Sequence, residues 1–453
     1  MNNTLIASID LGTTKVVCLV GEKTLYGIKI IALSQSPSKG IMRGEVVNIQ
    51  HALDSIIPVL RDVENSIGRK INEVFVGIAG QNIRCTSNGF QTNRKNPEDL
   101  ITKQEIEEIR NGMFNSFFQS DEEVLHVIPQ SYNIDDFMGI SDPIGMPGKQ
   151  ICANFKLFIG KKNSALYTNN VIKRAGLKLR ELILEPLASA KAVLSEDELE
   201  LGVAMVDIGG GTTDLLIVHD NIIRHTAVIP FGGNSITEDI KMGCGISAKQ
   251  AELLKIEHGS CYSAYAPDGK SIFIPGIGGR EGREISFKLL ANIIEARVAE
   301  LLEAVDYEIE RSGYKNLLKG GIVLTGGSSS LANIIQLTHI VTGMDARIAM
   351  PNDSIAQDSL DDVFKPALST AVGLVIMGFE KMESDGVNYN TTTAIVKEEE
   401  KEIVEQEDNT LDQNKKSEKV KEEKAPKEKK QGFKLKNFFK SFETETMFKD
   451  NEA

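Results

Sequence analysis

Two stretches, IASIDLGTTKVVCLV at residues 6–20 and VAMVDIGGGTTDLLIV at residues 203–218, decide how this chain folds. Each reads as an apolar strand ending in an aspartate, a glycine-rich turn with two threonines, and a second apolar strand. The turns are too tight for a crossover helix. Each copy therefore predicts a β-hairpin whose glycines permit positive φ and close approach of the backbone to a ligand. One D-x-G-x-T hairpin carries little information. Recurrence of the same carboxylate and hydroxyls predicts a duplicated domain, with the two hairpins facing each other across a cleft.

The sequence around the hairpins reads as α/β. Short β-rich runs at residues 74–79 and 154–159 alternate with amphipathic helices expected at 104–118 and 164–175. Residues 85–163, with loop signals at 93–99 and 141–148, are expected to form a small inserted subdomain. A third glycine turn, LTGGSSS at residues 324–330, follows an apolar strand and precedes a helix expected from Leu331. Free backbone N–H groups at such a junction can meet an anion or a nucleotide. From about residue 384 the composition turns polar, and residues 397–430 carry too few apolar groups to bury a core, which predicts a disordered tether.

Bulk composition narrows the function classes. A chain of 453 residues with 41% hydrophobic and 25% charged residues suits several soluble globular domains. Its net charge of −13 argues against nucleic acid as a partner. The five cysteines, Cys18, Cys85, Cys152, Cys244 and Cys261, are odd in number and scattered, so neither a disulfide framework nor a zinc site is expected. The N-terminal residues lack a secretory signal, and no apolar run reaches the roughly 20 residues of a membrane-spanning helix. A cytoplasmic location is expected.

A triphosphate with its magnesium needs backbone amides and hydroxyls for the phosphate oxygens, and carboxylates for the metal's waters. The first hairpin offers Gly12, Thr13, Thr14 and Lys15 after Asp10; the second offers Gly209, Gly210, Gly211, Thr212 and Thr213 after Asp207. No G-x-x-x-x-G-K-[ST] is present, which excludes a Walker-type loop.

Together these motifs resemble the actin, sugar-kinase and chaperone ATPase superfamily, whose fold is a duplicated ribonuclease H-like α/β domain. The two hairpins match its phosphate motifs, LTGGSSS its adenosine motif, and EPLASAKAVL (185–194) and ALSTAVGLV (367–375) its connecting helices. The resemblance covers the chain to about residue 380 and implies ATP and Mg2+ as ligands. It implies that Asp10 and Asp207 hold Mg2+ through water and that Glu185 orients a hydrolytic water, although Glu185 ahead of Pro186 also suits a helix N-terminus. Glu252 and Lys255 match a helix that contacts ribose and adenine, or else form a solvated face; Gly326, Gly327 and Ser328 belong to the adenosine turn.

Within the superfamily, PFGGNSITEDI (230–240), AELLK (251–255) and IPGIGGRE (274–281) are most similar to its bacterial cell-division branch. That likeness implies a first lobe of residues 1–84, 164–194 and 367–383, an insert at 85–163, a second lobe of 195–229 and 301–366, and a subdomain at 230–300. It implies a linker at 384–431 and a membrane-targeting helix at 432–448. The implied partners are the C-terminal tail of the tubulin-like FtsZ polymer, further copies of the chain in filaments, later division proteins, and an anionic membrane at the inner face of the cell. ATP turnover is expected to be slow or absent. A small-molecule kinase of the same superfamily stays open as the alternative.

The tail has its own signal. On a helical wheel Leu435, Phe438, Phe439 and Phe442 of FKLKNFFKSF share one arc, while Lys434, Lys436 and Lys440 lie outside it. This pattern suits a basic helix lying in a membrane surface, or a helix docked on protein. The chain has no Trp, and it continues past Phe442 with the acidic ETETMFKDNEA.

Overall fold

The structure is a computed structural model that describes residues 4–116, 119–276, 278–279, 281–351, 354–386 and 391–394. All seven residues of strand Leu5–Leu11 are buried, as a central strand covered on both faces requires. It lies in a five-stranded sheet of order Gly27–Pro37, Lys15–Thr24, Leu5–Leu11, Glu73–Ile78, Lys178–Leu184. A second five-stranded sheet has the order Ile222–Ile229, Thr213–His219, Val203–Ile208, Ile322–Thr325, Ala346–Ile348. In both, the first two pairings are antiparallel and the last two parallel. One topology is thus used twice, as the paired hairpins predict.

Two connecting helices, Glu185–Val193 and Ser369–Asp385, lie between the sheets, and their apolar side chains join one core with Ile6, Leu19 and Phe75 of the first sheet and Met205, Leu216 and Val323 of the second. They cross almost backbone to backbone: a Cβ on Gly373 would stand 1.8 Å from the Ala188 carbonyl oxygen. Helices Ile49–Ile67 and Lys162–Arg174 cover the outer face of the first sheet. Gly233–Cys244, Ala248–His258 and Phe287–Ser312 cover the second.

The insert is an antiparallel four-stranded sheet of order Phe137–Ile140, Glu122–Ile134, Gln150–Lys161, Arg84–Asn93, packed against helix Lys103–Phe114 with its own core around Phe155 and Leu157. Strand Glu122–Ile134 carries two bulges: the register passes from His126 to Val124 and from Ser131 to Pro129, leaving Leu125 and Gln130 unpaired. Such bulges re-aim side chains. Gln130 Nε2 donates to the Ile223 carbonyl of the second lobe at 2.8 Å, and His126 Nε2 accepts from the Leu184 N–H of the first at 3.2 Å.

Two expectations need correcting. The helix expected from Leu331 begins at Ile334, after a short 3-10 turn Gly327–Ser330, because Asn333 takes a left-handed conformation at φ 63°. The polar linker does not start at residue 384. Ser384 and Asp385 end the last helix, and Thr392–Ala394 pairs as a strand with Arg69–Ile71. Thr391, fully buried, accepts from Ala7 N at 2.9 Å and donates to Leu5 O at 2.8 Å through its hydroxyl. The rest of the expected linker, and Lys434, Leu435, Lys436, Phe438, Phe439, Lys440 and Phe442, lie outside the described residues. Among the described residues no helix is long and apolar enough to cross a membrane.

Candidate functional site: a cleft between paired hairpins

The two hairpins meet. Leu11 pairs with Val16 and Ile208 with Thr213, so the equivalent turns are Gly12–Thr13–Thr14–Lys15 and Gly209–Gly210–Gly211–Thr212. A Cβ on Gly210 would stand 2.2 Å from Thr14 Cγ2, and one on Gly211 would stand 2.5 Å from Thr13 Oγ1. Each threonine of the first turn therefore needs a glycine opposite. The contact is reciprocal, position two of each turn against position three of the other, as a pseudo-two-fold axis between the lobes demands.

Beneath the turns lies a cavity of about 330 Å³ lined by residues of both lobes. It gathers Asp10, Gly12, Thr13, Thr14, Lys15, Glu185, Asp207, Gly209, Gly210, Gly211 and Thr212 from the sequence-predicted set, with Glu252, Lys255, Gly326, Gly327 and Ser328 at its far end. Thr213 is absent from it. The structural register puts Thr213 in the strand, opposite Ile208 and equivalent to Val16 of the other hairpin, where it is fully buried and its hydroxyl donates to Phe231 O at 3.0 Å.

Asp214, which the sequence reading passed over, faces the cavity. Its Oδ2 accepts from Thr212 Oγ1 at 3.1 Å, and its Oδ1 is buried without a hydrogen-bond partner, as is Glu185 Oε1. Glu185 packs over the Cα of Gly77, where a Cβ would stand 2.9 Å from its Cγ. Four carboxylates thus share one space with the ammonium of Lys15, which donates to the Ala367 carbonyl.

The electrostatics follow. Burial lifts the Asp10 carboxyl to about 6 against the pull of Lys15, and burial with the Asp207 charge lifts Asp214 to about 7. Glu185 is pushed well above the usual carboxylate range by burial and then by its three aspartate neighbours. Burial pulls the Lys15 ammonium below its usual value, with Asp10 and Asp207 opposing.

The excess negative charge and the two orphaned oxygens fit a divalent cation. Among the described residues no three His, Cys, Asp or Glu side chains stand close enough to hold an ion directly. A cation here would keep most of its water, as Mg2+ does.

At the far end the Lys255 ammonium has its three donors engaged: Gly233 O at 3.0 Å, Thr237 Oγ1 at 2.8 Å and Glu252 Oε2 at 2.8 Å. Thr237 in turn donates to Glu252. Lys255 therefore pins the Gly233 loop, and its side chain offers the cavity mainly its aliphatic stem. Ser328 Oγ bonds Gly209 O at 3.3 Å, joining the adenosine turn to the second hairpin.

Two copies of one sheet, hinged on crossing helices and closed over a carboxylate-lined cleft, define an actin-like ATPase fold. A solved PilM–PilN type IV pilus biogenesis complex shares it at a TM-score of 0.58, with 16% identity over 82% of this chain and 98% of that one. Residues 204–373 match the family described as cell division protein FtsA, and residues 80–159 match the SHS2 domain inserted in FTSA. Cell division protein FtsA of Pseudomonas aeruginosa is 37% identical over 390 residues, covering 86% of this chain and 92% of the relative. That of Neisseria meningitidis serogroup B is 36% identical over 372 residues (82% and 89%), and that of Escherichia coli K12 33% over 384 residues (83% and 90%). The chain belongs to the FtsA family of cell-division proteins.

Proposed function

We propose that the protein binds Mg-ATP in this cleft and ties the FtsZ polymer to the inner face of the cytoplasmic membrane, forming filaments of its own and recruiting later division proteins. The observation that carries the nucleotide part is the pair of facing glycine turns over four carboxylates gathered in one cleft. Asp10 and Asp207 would hold Mg2+ through water, with Glu185 placed to orient an attacking water. Bound Mg2+ would supply the positive charge that offsets the carboxylates and the triphosphate. The turn amides, that of Thr212 among them, and the hydroxyls of Thr13 and Thr14 bind phosphate oxygens, while Glu252, Gly326, Gly327 and Ser328 bound the nucleoside.

Slow or absent turnover rests on the likeness to the cell-division branch of the superfamily. ATP then acts mainly as a ligand that closes the lobes. The kinase alternative is not favoured. Apart from the four central carboxylates, Glu252 is the acid lining the cavity among the described residues, and Thr237 and Lys255 already engage it.

Membrane and polymer attachment rest on family membership and on the tail sequence. Co-sedimentation of the full chain with anionic liposomes and FtsZ, with and without ATP, tests them. Phe438→Glu should abolish liposome binding while ATP binding persists; liposome binding by this variant equal to that of the parent would reject the membrane-anchor role.

A further inference from the structure

Asp207 is held by two hydroxyls that belong to neither hairpin. Ser189 Oγ, on the first connecting helix, donates to Asp207 Oδ2 at 2.7 Å. Thr370 Oγ1, at the start of the second, lies 3.2 Å from the same oxygen and 2.9 Å from Ser189 Oγ. Three oxygens share two hydroxyl protons: Ser189 gives its proton to the carboxylate, and Thr370 divides its own between Asp207 and Ser189. A helical serine commonly bonds the carbonyl four residues back. Here the fully buried Ser189 reaches across to the second lobe instead.

The result is a carboxylate with one oxygen engaged and one aimed. Oδ2 carries both hydroxyls, while Oδ1 lies toward the adenosine turn, where a Cβ on Gly326 would stand 2.2 Å from it. The two donors flank the crossing of the connecting helices. Ser189 follows Ala188 directly, and Thr370 precedes Gly373 by less than one turn, at the point where the helices leave no room for a Cβ. Because one donor lies on each helix and the acceptor on the second lobe, rotation of one helix over the other alters the Ser189–Thr370–Asp207 geometry together with the cleft.

We propose that Ser189 and Thr370 are positioning residues that make the aim of the Asp207 carboxylate depend on the angle at which the connecting helices cross, so that lobe rotation and readiness for Mg-ATP are one event. This rests on reading the cleft as a Mg-ATP site. Because coupling between two states is reciprocal, a ligand that requires Asp207 aimed also favours the crossing angle that aims it.

The test is equilibrium ATP binding by the full chain in Mg2+ and in EDTA, with thermal melts of the nucleotide-free protein alongside. Ser189→Ala and Thr370→Val should each weaken binding in Mg2+ about tenfold, the scale of one hydrogen bond to a charged group, and change binding in EDTA by less than about twofold. Thr370→Ser should restore the parent value, and the double variant should lose little more than either single one. Equal losses in Mg2+ and EDTA, parent-like binding by both variants, or a Thr370→Ser protein no better than Thr370→Val would each overturn the proposal. Should Ser189→Ala not fold, the Thr370→Val and Thr370→Ser pair decides alone. A parent chain that fails to bind ATP in Mg2+ overturns the cleft reading and this proposal together; a parent that binds, with variants that behave like it, overturns only the positioning role.

Discussion

Asp214 stands where four carboxylates converge, with Thr212 on one oxygen and no partner on the other. Its carboxyl is raised to about 7, so above that pH the folded protein carries a charge that the unfolded chain would hold at less cost. The advantage of the protonated form is full below the unfolded value of 3.8 and is lost as pH rises through about 7. Asp214→Asn should therefore stabilise the ligand-free protein at pH 8 by a few kcal/mol, at about 1.4 kcal/mol per unit of displacement. The gain should shrink toward zero near pH 4. Urea unfolding at the two pH values measures it, and an Asn variant less stable than its parent at pH 8 would contradict the electrostatic account. Asp214 was not legible in the sequence because the repeated threonine pairs look equivalent. Only the inter-strand register shows that Thr13 and Thr14 align with Gly210 and Gly211, and that Asp214 lies opposite Asp207. Ser189 and Thr370 were hidden for another reason: small hydroxyls among alanines in a connecting helix read as packing.

At the scale of elements, strand Glu122–Ile134 of the insert reaches both lobes, and its His126 is the contact with a titration. The ring packs half-buried against the end of Lys178–Leu184, and loss of solvent lowers it to about 4 despite a backbone hydrogen bond to Leu182. Neutral His126 accepts the Leu184 N–H; the protonated ring cannot. The stability this group confers is complete above its unfolded value of 6.5 and is lost as pH falls toward about 4. His126→Gln, which keeps an acceptor, should lose less stability than the parent between pH 7 and pH 4, by at most about 3 kcal/mol. The cleft carboxylates titrate in both proteins and cancel in the difference. Parallel stability profiles from denaturant melts would show that the ring does not titrate with folding. The hairpins were legible from their repeat, and the connecting helices, implied by the superfamily resemblance, stand at Glu185–Val193 and Ser369–Asp385, the second starting two residues later than its motif because Pro366–Leu368 forms a 3-10 turn. Strand Thr392–Ala394 was not legible, since TTA has no alternation and Thr391 beside it is held by backbone and hydroxyl bonds.

For the whole molecule, that strand is the last described element, and it ties the chain back to Arg69–Ile71 and Leu5. A chain stopped after Ala394 should unfold within about 1 kcal/mol of the full chain, whereas one stopped after Asp385 should lose about 1–3 kcal/mol, having left the partners of Thr391 bare. Chemical denaturation of the two truncations distinguishes them, and equal stability would mean that the strand contributes nothing. The earlier stop is also the wrong control for membrane binding, because it damages the first sheet as well as removing the tail.

The seam between Thr391 and Leu5 has a mechanical meaning. Tension applied to the chain beyond Ala394 enters strand Arg69–Ile71 and the central strand of the first sheet before it can reach the last helix. A body tugged from that corner is dragged by one lobe while its hinge stays slack, so traction on the tail and the opening of the crevice are separate motions.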